Sequence, residues 1–281
     1  MPTMQKLTHL LALTTAAVTI LAATTSDMKP NYEVKFLMDP ALVLDATSHK
    51  LTADVLSALS LSSKVTKMNV QFLDTDAKDI YNAGWSPRIR KMEKKEDELE
   101  LTYKKRYPIN GTDLDATLAL AASQGFSDAD NDYEPQVEWG FEKQTLSISN
   151  DKSASSTSAS MDLPDVDASR AALIAQAPDK FVNWLSPGWG NDMLAQSRIF
   201  GPVLAKRSTG TWNGTKLYVE VWPIRKAKEA EELEYVVEAS FKADTGDEAS
   251  AGREALRAVL SGKGWLLEKD SLKTQMIMDR Y

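Results

Sequence analysis

The stretch RIRKMEKKEDELELTYKKR, residues 88–106, packs cations and carboxylates so densely that it could pass for a solvated charge run. Its spacing argues otherwise. Residues 86–92 and 98–106 read as two strands joined by the charged turn 93–97. Successive side chains of a strand point to opposite faces. Arg88 and Arg90 therefore share one face of the first strand, and Thr102 and Lys104 share one face of the second. Ile89 and Leu101 lie on the reverse. In a sheet that closes on itself, every second residue points inward, so the four polar groups line one cavity while Ile89 and Leu101 pack outside.

Working outward, further strands are expected at 32–37, 70–73, 137–148, 199–211, 216–224 and 234–242. Asn213-Gly214 is a two-residue hairpin signal between two of them. Pro40 opens a helix or helix pair with apolar spacing from Leu42 to Leu59, Asn110-Gly-Thr112 offers a cap for a helix running to Gln124, and further helices are expected at 168–175, 178–185 and 247–260. Residues 271–281 read as a helix or a strand. The Ser/Ala/Asp-rich segment 151–168 reads as a mobile loop between two halves of similar size. Strand clusters with interspersed helices in both halves predict an α+β protein. Its residues 26–281 should form one domain, an antiparallel barrel of two pseudo-equivalent halves with flanking helices.

The chain has 281 residues, 43% of them hydrophobic, and a formal charge of −7. That balance argues against a nucleic-acid partner, whose footprint is a basic excess, so any cationic site must be local. The N-terminus carries Lys6, an apolar stretch from Leu7 to Ala23, and small residues at Thr24-Thr25-Ser26. This three-part pattern predicts a signal peptide over residues 1–25, a secreted or lumenal protein, and no membrane anchor after cleavage. The sequons at Asn110 and Asn213 fit glycosylation on that route. With no cysteine and only two histidines, one of them (His9) in the leader, a His-ligated zinc site and a Cys-His dyad are excluded. A Ser-His-Asp triad could be built only around His49. The alternating acids Asp128, Asp130 and Asp132 lack the glycine and later glutamate of a calcium loop and read as solvated. Trp189, between Gly188 and Gly190, is expected in the core rather than as a lid.

Several motifs, in order, resemble the CYTH or triphosphate tunnel metalloenzyme superfamily. Tyr32-Glu33-Val-Lys35 is similar to its opening Glu-x-Glu-x-Lys motif, Arg88-Ile-Arg90 to its Arg-x-Arg strand, and Thr102-Tyr-Lys104 to its Thr-x-Lys strand. Glu234-Tyr-Val236-Val-Glu238 is similar to its late Glu-x-Glu strand. The resemblance spans roughly residues 31–281. It implies an eight-stranded antiparallel tunnel in which cations hold a polyphosphate and carboxylates hold Mg²⁺ or Mn²⁺. The cationic wall is kept as Lys35, Arg88, Arg90, Lys104 and Arg207. The acidic side is thinned: Asn31 and Val236 stand where the family has glutamates, and only Glu33 and Glu238 remain. Loss of two carboxylates weakens capture of an ion that wants octahedral oxygen coordination, so neither a metal nor another cofactor is expected.

Three functions compete. The resemblance alone implies a Mg²⁺- or Mn²⁺-dependent triphosphate hydrolase. Retained cations, thinned carboxylates and a secretory leader favour instead a metal-independent enzyme acting on an anionic or oxygen-rich small molecule. There Lys35, Arg88, Arg90 and Lys104 would stabilise oxyanion charge, with Lys35 and Lys104 counted among the catalytic groups. Glu33 or Glu238 would move a proton, and Arg207, Tyr218 and Trp222 would bind substrate. Such a pocket suits dehydration to a reactive enone or quinone methide followed by cycloaddition. In its secretory leader and missing metal motif the chain is also similar to fungal hetero-Diels-Alderases of tropolone-sesquiterpenoid biosynthesis. The third possibility is a non-catalytic binder of phosphate esters or acidic metabolites. For each inward charge the plain alternative is an exposed strand face, and only the tertiary structure decides between them.

Overall fold

The computed structural model describes residues 26–281 apart from 96, 157, 159 and 271. The expected signal peptide, residues 1–25, lies outside the described residues. Among those described, no helix is long and apolar enough to cross a membrane.

The first half runs β1 (Asn31–Met38), α1 (Pro40–Val43), α2 (Ala53–Ala58), β2 (Leu61–Asp74), α3 (Asp79–Asn82), β3 (Trp85–Met92), β4 (Glu98–Ile109), α4 (Leu114–Ser123), β5 (Glu134–Trp139) and β6 (Gln144–Ser155). The second runs α5 (Val166–Gln176), α6 (Asp179–Val182), α7 (Trp189–Ala195), β7 (Arg198–Trp212), β8 (Thr215–Arg225), β9 (Leu233–Ala243), α8 (Gly246–Gly262), β10 (Leu266–Leu267) and α9 (Lys273–Arg280). The sheet order β1-β5-β6-β4-β3-β2-β7-β8-β9 closes through a β9–β1 pairing, and the two-residue β10 is added to the end of β1. The ring thus has nine strands rather than eight. Every neighbour pair in it is antiparallel except β1–β5, which is parallel.

Alternation along each strand sends one set of side chains outward into two apolar cores. Trp85, Ile89, Leu101, Tyr103 and Ile148 pack with Leu173, Phe181 and Leu194 of the α5–α7 group. Val34, Phe36, Leu217, Val219 and Phe241 pack with Leu256 and Leu260 of α8. α8 is started by a reciprocal cap in which Thr245 accepts from the Glu248 N–H while the Glu248 side chain accepts from the Thr245 N–H. A third cluster closes one end of the barrel, where Met68, Val70, Phe72, Phe200 and Trp222 meet Ile277 and Met278 of α9.

Several boundaries depart from the sequence expectations. The strand expected over 137–148 is two strands, broken at Gly140, because the Asp270 carboxylate accepts hydrogen bonds from the N–H groups of Phe141, Glu142 and Lys143 and pins a turn there. The loop expected over 151–168 is shorter at both ends: β6 continues to Ser155 by pairing with β4, and α5 begins at Val166 with Asp165 as its cap. Buried Asn69 and Gln71, on the outer face of β2, hold the carbonyls of Met161 and Pro164. Asp113, not Asn110 or Thr112, caps α4 by accepting from the Ala116 N–H. The expected strand at 70–73 is one end of the fourteen-residue β2. Asn213-Gly214 does form the β7–β8 hairpin turn, with φ of 46° and 77°. Both sequon asparagines are exposed in turns.

Gly210 of β7 faces the start of β2, where a Cβ would come within 2.1 Å of the Ser60 carbonyl oxygen. Gly210→Ala should therefore force the β2–β7 pairing apart and cost about 1–3 kcal/mol. Denaturant unfolding of the two proteins checks this, and an unchanged midpoint would contradict so close an approach.

Candidate active site

The inward faces of the strands enclose two adjoining chambers. The outer one, of about 280 Å³, is lined by Glu33, Arg88, Arg90, Thr102, Lys104, Asp151, Arg207, Tyr218 and Lys242 among others. The inner one, of about 140 Å³, shares Glu33, Arg88, Arg90, Lys104 and Arg207 and adds Lys35, Arg106, Glu138, Trp222 and Glu238. Leu272, Lys273, Thr274 and Ile277 of the α9 region complete it. Strand alternation therefore brings all nine sequence-predicted catalytic and substrate-binding residues to these two adjoining chambers: Glu33, Lys104, Arg88, Arg90 and Arg207 line both, Glu238, Lys35 and Trp222 the inner one, and Tyr218 the outer one.

Most of these charges have specific partners. Glu138 of β5, with a side chain only 3% exposed, is the hub of one cluster: its oxygens lie 2.7 Å from Lys35 Nζ, 3.2 Å from Lys104 Nζ and 3.7 Å from Arg106. Burial alone would raise its pKa, but Lys35, Arg106 and Lys104 outweigh that and hold it well below the usual carboxylate range. Burial would lower Lys35, yet Glu138, Glu238 and Glu33 keep its ammonium above the ordinary lysine value. Lys104 goes the other way: burial pulls it down, and Arg106 and Arg88 add repulsion against the attraction of Glu138.

A second cluster joins β8, β9 and α9. Glu220 and Glu238 face each other across the β8–β9 pairing, and Lys273 Nζ lies 2.6 Å from an oxygen of each. Glu220 has further partners in Arg207, at 2.6 Å, and the Trp222 indole N–H, at 2.8 Å. Among the described residues Glu238 has only Lys273. The pKa values follow that asymmetry. Burial would raise both acids, but Lys273 and Arg207 pull Glu220 far down. Glu238 stays above the ordinary glutamate value, because burial and the nearby Glu220 and Glu33 outweigh its cations.

Arg88 is the exception among the guanidinium groups. Its Nη2 donates to Thr102 Oγ1 at 2.9 Å, and Thr102 in turn donates to Asp151 at 2.6 Å. No carboxylate lies within ion-pair distance of Arg88 among the described residues, and its Nε is buried without a partner. Burial, then repulsion from Arg90, lowers its pKa to about 9. Arg90, by contrast, is paired with Glu100 at 2.5 Å.

The divalent ion implied by the family resemblance does not fit these residues. The buried carboxylates Glu138, Glu220 and Glu238 are already engaged by lysine and arginine, so the ion would have to displace those cations. Other candidates lie elsewhere. His49 stacks on Tyr235 at 4.0 Å in the α1–α2 connection and does not line either chamber. Trp189 packs edge-on against Phe181 at 6.0 Å. Asp130 and Asp132 pair with Lys180 and Lys152.

Sequence reasoning missed Glu138, Arg106 and Lys273 as site residues, and it named Tyr218 and Trp222 but not Glu220, which lies on the same face of β8. Arg106 lies two residues past Lys104, so strict alternation could have found it. Glu138 required knowing that β5 sits beside β1. Lys273 had no local signal.

No family model matches the chain, and no curated protein matches it. Among solved structures, the HpAC1 protein of Hippeastrum, described as a candidate adenylyl cyclase with a dominant triphosphatase activity, aligns with a TM-score of 0.51 over 87% of this chain and 93% of that one, at 14% identity. A candidate adenylate cyclase from Bacillus halodurans aligns with a TM-score of 0.49 over 88% and 96%, at 12% identity. The barrel is the CYTH-like tunnel fold, and at these identities the likeness extends to the fold alone.

Glu138→Gln should leave Lys35, Lys104 and Arg106 facing one another and cost about 3–5 kcal/mol. Because the folded pKa of Glu138 is depressed, its contribution is present above the ordinary carboxylate pKa of 4.5 and is lost as pH falls below it. Thermal unfolding between pH 3 and 7 should show the wild type losing stability below about pH 4.5, with a shallower loss in the variant. Parallel curves would remove Glu138 from that role.

Proposed function

We propose that the tunnel binds a small oxygen-rich organic anion and transforms it without a metal ion, by dehydration followed by hetero-Diels-Alder cycloaddition, in the secretory pathway of a fungus. The observation that carries this reading is Arg88, a half-buried guanidinium whose Nε is buried without a partner and which, among the described residues, has no carboxylate within ion-pair distance. An unpaired buried cation is costly unless a guest supplies the counter-charge, and a guanidinium suits two adjacent oxygens. The chamber beside it also has an apolar wall of Met68, Val70, Phe72 and Trp222. Such a wall offers nothing to a polyphosphate but suits a hydrocarbon partner.

The chemistry maps onto named groups. A substrate held by its anionic oxygen at Arg88 carries a hydroxyl on a carbon conjugated to that oxygen. Glu238, held above the ordinary glutamate value by burial and by the nearby Glu220 and Glu33, takes up a proton and passes it to the departing hydroxyl. The C–O bond breaks, water leaves, and the oxygen at Arg88 becomes the carbonyl of an O=C–C=C unit. Hydrogen bonds from Arg88 then draw electron density to that oxygen and make the unit more electrophilic toward an alkene. One C–O and one C–C bond form with no further proton transfer. Lys104 and Lys35 hold the field of the site, and Tyr218 and Trp222 orient the partners. The leader over residues 1–25 supports the secretory location.

The second reading is triphosphate hydrolysis, favoured by the retained cationic wall and by the likeness to the Hippeastrum structure. Its difficulty is charge. The lining cations are largely matched by lining carboxylates, with Glu100 neutralising Arg90, so little positive charge is left for a multiply charged guest without a metal ion. A non-catalytic binder would share the anion site but show no turnover.

Incubation with a hydroxymethyl-substituted tropolone and a sesquiterpene alkene should give a product whose mass is the sum of the two less one water. Glu238→Gln should lower kcat about 10²–10⁴-fold with little change in KM. Arg88→Ala should chiefly raise KM. Rapid phosphate release from tripolyphosphate with Mg²⁺ or Mn²⁺, and no adduct, would favour the second reading instead.

A further inference from the structure

We infer that the Lys273 ammonium is the resident cation of the tunnel, holding Glu220 and Glu238 together as a divalent ion would, so that its removal converts the pair into a divalent-ion site. The inference rests on the metal-independent reading above and explains how a tunnel of this fold can dispense with the ion.

Glu220 and Glu238 stand directly opposite on neighbouring strands with side chains only 7% and 6% exposed. Two like charges so placed repel strongly. A single Nζ at 2.6 Å from an oxygen of each relieves the repulsion, and it places those two oxygens no more than about 5 Å apart, close to the span that Mg²⁺ or Mn²⁺ bridges with ligand distances of about 2.1 Å. Such ions commonly use only one or two protein carboxylates and fill the remaining positions with water or substrate oxygens. The pair therefore has the donors for an ion, and a lysine stands between them.

The placement of this lysine is fixed by the rest of α9. Its apolar side, Ile277 and Met278, is buried against the end of the barrel. Its polar side is tied down at several points: Asp279 to Lys78 at 2.6 Å, Arg280 to Glu234 at 2.6 Å, and the Tyr281 carbonyl to Arg198 at 2.7 Å. The helix therefore opens with its cation held inside the tunnel. An ammonium differs from a divalent ion in one consequential way: it cannot also bind a substrate oxygen as a Lewis acid, and it leaves one oxygen of Glu238 without a protein partner among the described residues.

Mn²⁺ binding, read by the loss of free-ion signal in electron paramagnetic resonance at pH 7.5, tests this on the wild type, Lys273→Ala, Lys273→Arg and the double variant Lys273→Ala with Glu238→Gln. The wild type and Lys273→Arg should show no stoichiometric site. Lys273→Ala should gain one site at least tenfold tighter than any wild-type binding, with Mn²⁺ raising its unfolding temperature, and the double variant should lose the gain. A folded Lys273→Ala protein with no gain overturns the inference while leaving the metal-independent reading intact. A stoichiometric wild-type site overturns both. A Lys273→Ala protein that folds neither with nor without Mn²⁺ also overturns the inference, since the ion should restore the missing charge.

Discussion

Closing a sheet into a narrow ring forces alternate side chains into a space with little water, and every charge placed there must find a partner. That constraint shapes this protein more than any other. Charged residues on β1, β3, β4, β5, β8 and β9 point inward, where an isolated ion is costly. The response is two carboxylate hubs. Glu138 gathers Lys35, Lys104 and Arg106, while Glu220 and Glu238 gather Arg207 and Lys273. Most outward-facing residues of the same strands are apolar and carry the helices, with buried Lys91 and Lys105 as exceptions, so the barrel wall separates an ionic interior from two largely hydrophobic exteriors.

Against that neutralised background the exceptions gain meaning. Among the described residues Arg88 has no carboxylate within ion-pair distance, and the one cation in contact with Glu238, Lys273, is shared with Glu220. One group is ready to receive negative charge, and the other is a carboxyl raised above its ordinary value. Their pKa values are pushed toward neutrality from opposite ends, Arg88 downward and Glu238 upward, in both cases chiefly by burial. Groups displaced in this way within one cavity are the usual raw material of acid–base chemistry. The apolar wall beside them adds room for a substrate that is only partly polar.

The last helix links packing to electrostatics. Its hydrophobic residues seal one end of the barrel, and its first residue, Lys273, carries the charge that lets Glu220 and Glu238 stand face to face. A structural element thus takes part in setting the ionisation of the site, and the fold's acidic side is organised around an ammonium.

Much of this was legible in the chain. The two-residue spacing of Arg88 and Arg90 and of Thr102 and Lys104 determined which faces turn inward, because strand periodicity is a local property of the backbone. Glu33, Lys35, Arg207 and Glu238 were singled out by the family resemblance and Tyr218 and Trp222 by sharing one strand face, and Asn213-Gly214 marked its hairpin because that turn needs positive φ at both positions. What only the tertiary structure decided was pairing between segments distant in sequence. The parallel β1–β5 contact brings Glu138 to Lys35, 103 residues away, and the docking of α9 brings Lys273 to Glu220, 53 residues away. No local pattern encodes such meetings: a strand's alternation says which way a side chain points but not what it will face, and that is settled by the closure of the ring and the burial of helices on its surface.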